Sequence, residues 1–236
     1  MEERHLDTGH ITLESLAGAP EISHWMVQQF EAYLGSDILE AGCGAGNLTQ
    51  HLLGGGRRVL AVDIDEIHLS NVERMLPDAE RLELVLGDLN SPDTYESLGR
   101  TFDTVVCINV LEHLESPKQA VEGFETVTRT GGHVLILVPA HQWLYSPADR
   151  ALHHTMRYSR EKLRALVENS GLELIELRQF NRLGVVGWLV NKMLGRTQIS
   201  GRQARSFAVL LPLARLLEHA RFLPGLSWIA VARVTS

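Results

Sequence analysis

The sequence predicts an α/β fold on a seven-stranded, doubly wound parallel sheet with helices on both faces, and three observations carry that expectation. Short apolar runs recur along the chain with helix-like stretches between them, the alternation that crossover connections require. Two of the runs, TVVCI at 104–108 and VLILV at 134–138, are apolar on both faces, as central strands covered by helices must be. A third run ends in Glu40 and opens onto Gly42, Gly44 and Gly46, a spacing that strips Cβ atoms from the backbone at the sheet end where a ligand approaches.

The strands are placed at 37–41, 58–62, 82–86, 102–108, 133–139, 172–178 and 226–234. A helix opens at Pro20-Glu21 and runs through Leu34, with Trp25, Met26, Phe30 and Tyr33 near one face, either packed as core or closing as a lid. A second begins near Asn47, and a third opens at Ser159-Arg-Glu-Lys162 and ends before Gly171. Residues 179–225 break the alternation. They hold LGVVGWLVNKMLG and SFAVLLPLARLLEHARFL, joined by the basic stretch RTQISGRQAR. Neither stretch reaches the roughly 18 uninterrupted apolar residues of a membrane span, and Pro212 interrupts the second, so this region is read as a helical insertion packed over the sheet. The expected organisation is one domain: a helical lid at 1–35, a core at 36–178 for a cofactor, the acceptor-side insertion at 179–225, and a final strand at 226–236.

A hydrophobic content of 44% without repeats or low-complexity tracts fits an ordinary globular protein. The polar start of the chain shows no secretory leader, and Cys43 and Cys107 lack paired spacing, which together predict a cytoplasmic protein with free thiols. The net charge of −7 is unevenly spread, because residues 178–236 carry nine Lys and Arg against the single acid Glu218. That basic tail predicts an anionic partner, such as a phosphorylated substrate, another protein or an acidic lipid surface met peripherally through 179–225.

The loop chemistry narrows the ligand. A dinucleotide loop would place a third glycine where Asn47 stands, and no Gly-Lys-Ser/Thr follows for a phosphate loop. Glu40 suits a cation better than a pyrophosphate. Asp63 ends the second strand 23 residues after Glu40, where a carboxylate can accept from paired ribose hydroxyls, and Asp88 ends the third, in reach of an adenine amino group.

LEAGCGAGN, AVDIDE, GDL, FDTVVCINVLEHLESP and GGHVLILVPA follow one another in order over residues 36–140. In this order they resemble the class I S-adenosylmethionine-dependent methyltransferases, which have a Rossmann-like fold. The resemblance implies S-adenosyl-L-methionine as cofactor, with S-adenosyl-L-homocysteine as product. It further implies that Glu40, Gly42, Gly44 and Asn47 line the methionine end and that Asp63 binds ribose. Ile64 would pack on adenine, Asp88 and Leu89 would hold the adenine edge, and Asn109 and Val110 would close the floor beside the sulfonium. The segment from Pro139 to Glu176 is similar to a bacterial small-molecule subgroup with a Pro-Ala…Leu-Tyr…Asp…His…Arg-Tyr pattern and a later Asn-x-x-Gly, here Asn181 to Gly184. That pattern has two consecutive arginines before the tyrosine, whereas this chain has Met156-Arg157-Tyr158.

Methyl transfer is an in-line displacement governed by proximity, and a base is needed only when the acceptor must lose a proton. His113, His141 and His154 follow the fourth and fifth strands and are the candidate bases, each with the alternative of orienting a loop; His153 is a weaker one. Tyr145, Arg157, Tyr158 and Trp188 are the candidate acceptor contacts, with the alternative of fixing the loop and packing. No metal centre is expected, since the histidines lack His-x-x-x-His spacing and His153 and His154 point apart. A nucleic-acid substrate is disfavoured by the missing basic stripe interleaved with aromatics. The expected function is methyl transfer to a small, amphipathic or apolar-tailed metabolite, most often at oxygen; the alternative is a non-catalytic scaffold that keeps the fold.

Overall fold

The computed structural model describes residues 18–198, 200–220 and 222–235, so residues 1–17 of the expected lid lie outside the described residues. One sheet of seven strands has the order β3-β2-β1-β4-β5-β7-β6. The strands are β1 (Asp37–Ala41), β2 (Arg58–Asp63), β3 (Leu82–Leu86), β4 (Phe102–Ile108), β5 (Thr128–Pro139), β6 (Glu173–Phe180) and β7 (Ser227–Arg233). β1 to β5 pair in parallel.

The wholly parallel sheet expected from sequence is corrected at one edge, where β7 runs antiparallel between β5 and β6. Phe180 pairs with Ser227, and the Leu226 amide donates to the Asn181 carbonyl at 3.1 Å. The helical segment is therefore an excursion from within a β-hairpin, leaving and re-entering the sheet at the same end. A strand entered that way must run backwards.

Period-two alternation sorts the strand residues onto two cores. Leu39, Val105, Cys107, Val134 and Ile136 face α4 (Pro92–Ser97), α5 (Pro117–Thr126) and α7 (Arg160–Glu168) through Tyr95, Phe124 and Leu163. Ile38, Val59, Val106, Leu135 and Ile229 face the opposite side, with α1 (Pro20–Gln28), α3 (Glu66–Met75), α9 (Gly201–Val209) and α10 (Leu211–Leu217). α1 is shorter than expected and gives way to a 3₁₀ turn at Glu31–Tyr33. Trp25 within it and Phe30 just beyond it are buried core residues, and the Trp25 ring lies 4.3 Å from that of Phe180. The helix after the glycine loop, α2, is only Thr49–Leu52, starting beyond Asn47.

In the insertion, α8 (Arg182–Met193) is capped by the Asn181 side chain, which accepts from the Gly184 amide at 2.9 Å. The basic stretch at 196–205 is half helical, since α9 begins at Gly201 behind a Ser200/Gln203 capping box. Pro212 sits in the first turn of α10, where its missing N–H costs nothing, so the chain breaks between α9 and α10 at Leu210.

Candidate active site

Strand order reverses at β1, which has β2 on one side and β4 on the other, and in such a sheet the carboxyl ends of β1 and β4 are the place for a ligand crevice. The glycine loop lines one wall. Gly42 sits at φ 82°, and a Cβ there would lie 2.5 Å from Cγ2 of Val110, in the loop after β4. The two walls thus meet backbone against side chain, and only glycine fits. Gly44 and Gly46 also take positive φ, 51° and 78°.

Glu40 lies under this loop with 1% exposure, and neither carboxylate oxygen has a hydrogen-bond partner among the described residues. Burial pushes its pKa up to about 8; the nearby Thr49 hydroxyl works against the shift and the Asp63 charge adds to it. A buried carboxyl without a hydrogen-bond partner is costly in either protonation state unless something cationic or donating completes it. Asp63 is in a different state. Its Oδ2 accepts from the Gly44 amide at 2.7 Å, and Oδ1 accepts from the Asp65 amide at 3.0 Å and lies 3.2 Å from His68 Nδ1. Burial alone would raise this carboxyl, but the hydrogen bonds from His68, Gly44 and Asp65 hold it below the ordinary range. A charged Asp63 thereby fixes the glycine loop to β2.

The other expected cofactor positions are divided. Ile64 is 67% exposed beside Asp63, an apolar face open for stacking. Asp88 accepts from the amide and side chain of Asn90 at 2.8 and 2.9 Å, which sets its carboxylate at the tip of β3. The Leu89 side chain is buried in the core and its carbonyl accepts from Tyr95, so any contact it makes with a ligand is through its amide. Asn47 is buried, and Asn109 stands exposed at φ 55° after β4.

On the β4–β5 side the structure gathers residues that spacing alone did not connect. The Thr155 amide and hydroxyl both donate to the Glu112 carbonyl, at 2.8 and 2.9 Å, which draws the loop after β4 against the segment following α6 (Pro147–Ala151). The His113 and His154 rings then lie edge to face, 4.8 Å between centroids. Asp149, fully buried, accepts from Ser146, lies 2.9 Å from His154 Nδ1 and accepts from Arg157 Nε at 2.9 Å. Burial would raise Asp149, but His154 and Arg157 hold it below the carboxylate range. Glu112 is as buried as Asp149, yet its two oxygens have no hydrogen-bond partner among the described residues, and burial pushes its pKa up to about 8.

The side chains expected to contact the acceptor are each engaged by the protein itself. Arg157 is 3% exposed, with its guanidinium on Asp149 and the Ala140 carbonyl and 4.4 Å above the Trp188 ring, so it faces no open space. Tyr158 donates to the Leu111 carbonyl at 3.1 Å, Tyr145 to that of His154 at 2.8 Å, and the Trp188 indole to that of Leu144 at 2.9 Å. His141 stands apart from the other two histidines, strained at φ 63° between Trp143 and Trp228, with Nε2 buried and unpartnered among the described residues. Burial and the Arg157 charge hold it neutral below the usual histidine value, so it remains a candidate base. Exposed His153 does not join it.

The sequence profile of the family described as methyltransferase domain matches residues 21–177. The chain belongs to the S-adenosylmethionine-dependent methyltransferase family. A probable S-adenosylmethionine-dependent methyltransferase of Mycolicibacterium smegmatis is 31% identical over 177 residues, covering 71% of this chain and 65% of that one. A ubiquinone biosynthesis O-methyltransferase of Acinetobacter baylyi is 26% identical over 112 residues, 47% of each chain. These matches span less than two thirds of the curated relatives' own length. Among solved structures, the N-methyltransferase NodS of Bradyrhizobium japonicum, in complex with S-adenosyl-L-homocysteine, covers 98% of this chain and 100% of its own with a TM-score of 0.61 and 15% identity, a likeness of fold.

The methyltransferase residues fit the cofactor that the family implies. The glycine loop leaves no Cβ between its backbone and the sheet end, Asp63 and Asp88 offer carboxylates at the ends of β2 and β3, and the buried Glu40 carboxyl has no hydrogen-bond partner among the described residues, a gap that a cationic or donating group would complete. Sequence reasoning singled out neither Glu112 nor His68, and met Asp149 only as the acid of the Pro-Ala…Leu-Tyr…Asp pattern. Glu112 adjoins His113 and Asp149 precedes His154 by five residues, but only the folded loops show that they converge.

Proposed function

We propose that the protein is an S-adenosylmethionine-dependent methyltransferase acting at oxygen on a small acceptor with an apolar part. The buried, unpartnered Glu40 beneath the glycine cradle carries this reading, since a fold kept only as a scaffold has no use for an uncompensated carboxylate. When bound, the cofactor supplies an electrophilic methyl group. The chain's own part is to hold it through Glu40, the loop amides and Asp63, and to present a neutral His141 to an acceptor hydroxyl. The name of the Acinetobacter relative favours oxygen.

The apolar-tailed acceptor rests on the insertion. Val186, Met193, Val209, Leu216 and Phe222 are 60–86% exposed on a segment that also carries Lys192, Arg196, Arg202, Arg205 and Arg215. Apolar side chains set among cations suit the surface of an anionic membrane, from which an amphipathic acceptor could be drawn. No helix among the described residues is long and apolar enough to cross one.

The test is calorimetric titration of S-adenosylhomocysteine, and separately NAD, into wild-type protein and Asp63→Ala. Binding of the homocysteine product alone, lost in the variant, supports the reading. Folded wild-type protein that binds neither ligand leaves the scaffold alternative in its place.

A further inference from the structure

We propose that Glu112, His113 and His154 form a binding site for one divalent first-row transition-metal ion at the acceptor side of the crevice. One ligand atom from each of the three lies within 4.8 Å of the others. Around a bound ion with metal–ligand distances of about 2.0–2.2 Å such atoms stand roughly 3–4 Å apart, so small side-chain rotations close the set.

Three independent features support it. The Glu112 carboxylate is wholly buried with both oxygens unpartnered among the described residues, in a pocket shared with the two imidazoles. His154 meets the Asp149 carboxylate through Nδ1 at 2.9 Å, which fixes the ring and leaves Nε2 to serve as the ligand atom. A carboxylate behind a ligating histidine is the usual outer support of such a site, fixing both tautomer and ring orientation. Asp149 is itself held by Ser146 and Arg157, so the orientation of His154 is built from the core outward. Finally, the two loops are pinned together by Thr155 on the Glu112 carbonyl.

Two imidazoles and one carboxylate favour zinc-like or iron-like ions over magnesium or calcium, and three protein ligands leave positions open. His113 is exposed and His154 partly so, which turns the open side toward solvent and an incoming acceptor. The role follows from the proposed methyl transfer and rests on it. An ion here anchors the acceptor hydroxyl and lowers its pKa, as metal ions do for water. The hydroxyl proton leaves to solvent water, the oxygen forms its bond to the methyl carbon, and the carbon–sulfur pair returns to sulfur, giving a methyl ether and a neutral thioether. The ion keeps its charge throughout.

The test uses metal-stripped full-length protein titrated with Co²⁺, read by visible absorption and by calorimetry, with S-adenosylhomocysteine titrated in parallel. We expect one Co²⁺ per chain, with d–d bands far more intense than those of the aqua ion. Glu112→Gln and His154→Ala should each weaken binding on the order of 100-fold. The exposed His219→Ala should not change it. Near-isosteric Glu112→Gln removes the ligating carboxyl without leaving a cavity, and retained S-adenosylhomocysteine binding shows that each variant is folded. An aqua-like spectrum, or tight Co²⁺ binding unchanged by Glu112→Gln and His154→Ala, overturns the proposal. Co²⁺ binding without S-adenosylhomocysteine binding upholds the metal site and sinks the methyl-transfer reading instead; the reverse pattern sinks the site alone.

Discussion

Replacing Glu40 with Gln should stabilise the ligand-free protein at neutral and alkaline pH while damaging cofactor binding. The folded-state pKa of Glu40 is raised to about 8 from 4.5. Below the unfolded value both states hold the proton and the group's full contribution is present. As pH climbs from 4.5 toward 8 the unfolded chain gives the proton up and the folded chain does not, so stability falls, by about 1.4 kcal/mol per pH unit. Above the folded pKa the loss is complete, on the order of 3–5 kcal/mol, and constant. Gln cannot titrate, so its stability curve should be flatter by that slope across the window. Glu112 adds a similar slope to both proteins and cancels in the difference. Urea unfolding followed by tryptophan fluorescence at pH 5, 6, 7 and 8 gives the comparison. The variant should match wild type at pH 5 and exceed it by roughly 2–4 kcal/mol at pH 8, while binding S-adenosylhomocysteine about 10–100-fold more weakly. Parallel curves for the two proteins would refute the reasoning, because they would mean that Glu40 is no more burdened folded than unfolded.

Gly42→Ala forces a Cβ to 2.5 Å from Val110 at φ 82° and should cost about 2–4 kcal/mol in thermal unfolding; adding Val110→Ala should recover the steric part only. Asp149→Asn leaves Arg157 buried beside a neutral group, a loss of about 3–5 kcal/mol at pH 7. Because the Asp149 carboxyl is held below its ordinary value, that deficit should shrink as pH falls below 3.8 and wild type protonates. Sedimentation with phosphatidylglycerol vesicles should capture the protein at low salt and release it at high salt, with phosphatidylcholine vesicles ineffective. Val209→Ser with Phe222→Ser, both exposed by 80% or more, should weaken capture without changing the melting temperature. Capture unaffected by salt and by these substitutions would remove the membrane from the proposed function.

The sheet was legible because its residues obey local rules. β1, β3 and β4 coincide with their apolar runs, and Gly42 announces a backbone position that tolerates no side chain. The reversal of β7 was not legible, since its run SWIAVAR looks the same in either direction; the hairpin closure at Phe180 and Ser227 is a long-range pairing. Arg157 misled for a related reason. A guanidinium in a loop between strand and helix suggests an anionic ligand, but the anion it meets, Asp149, comes from a helix of five residues that its own capping box creates. Side-chain type was readable there and the direction it points was not.

The two buried carboxylates that lack partners make different demands on the molecule. Glu40 lies at the end of β1 and Glu112 follows β4, and burial raises both to about 8. A lone one could be a tolerated defect, but a chain that stands only on the order of 5–15 kcal/mol above unfolding cannot carry two of them for nothing. The buried acids that need no ligand, Asp63 and Asp149, are met by amides, histidine or arginine and stay charged. On the proposed reading the unmet pair takes cationic ligands, Glu40 the positive end of the cofactor and Glu112 a metal ion, and an acceptor would be held between them.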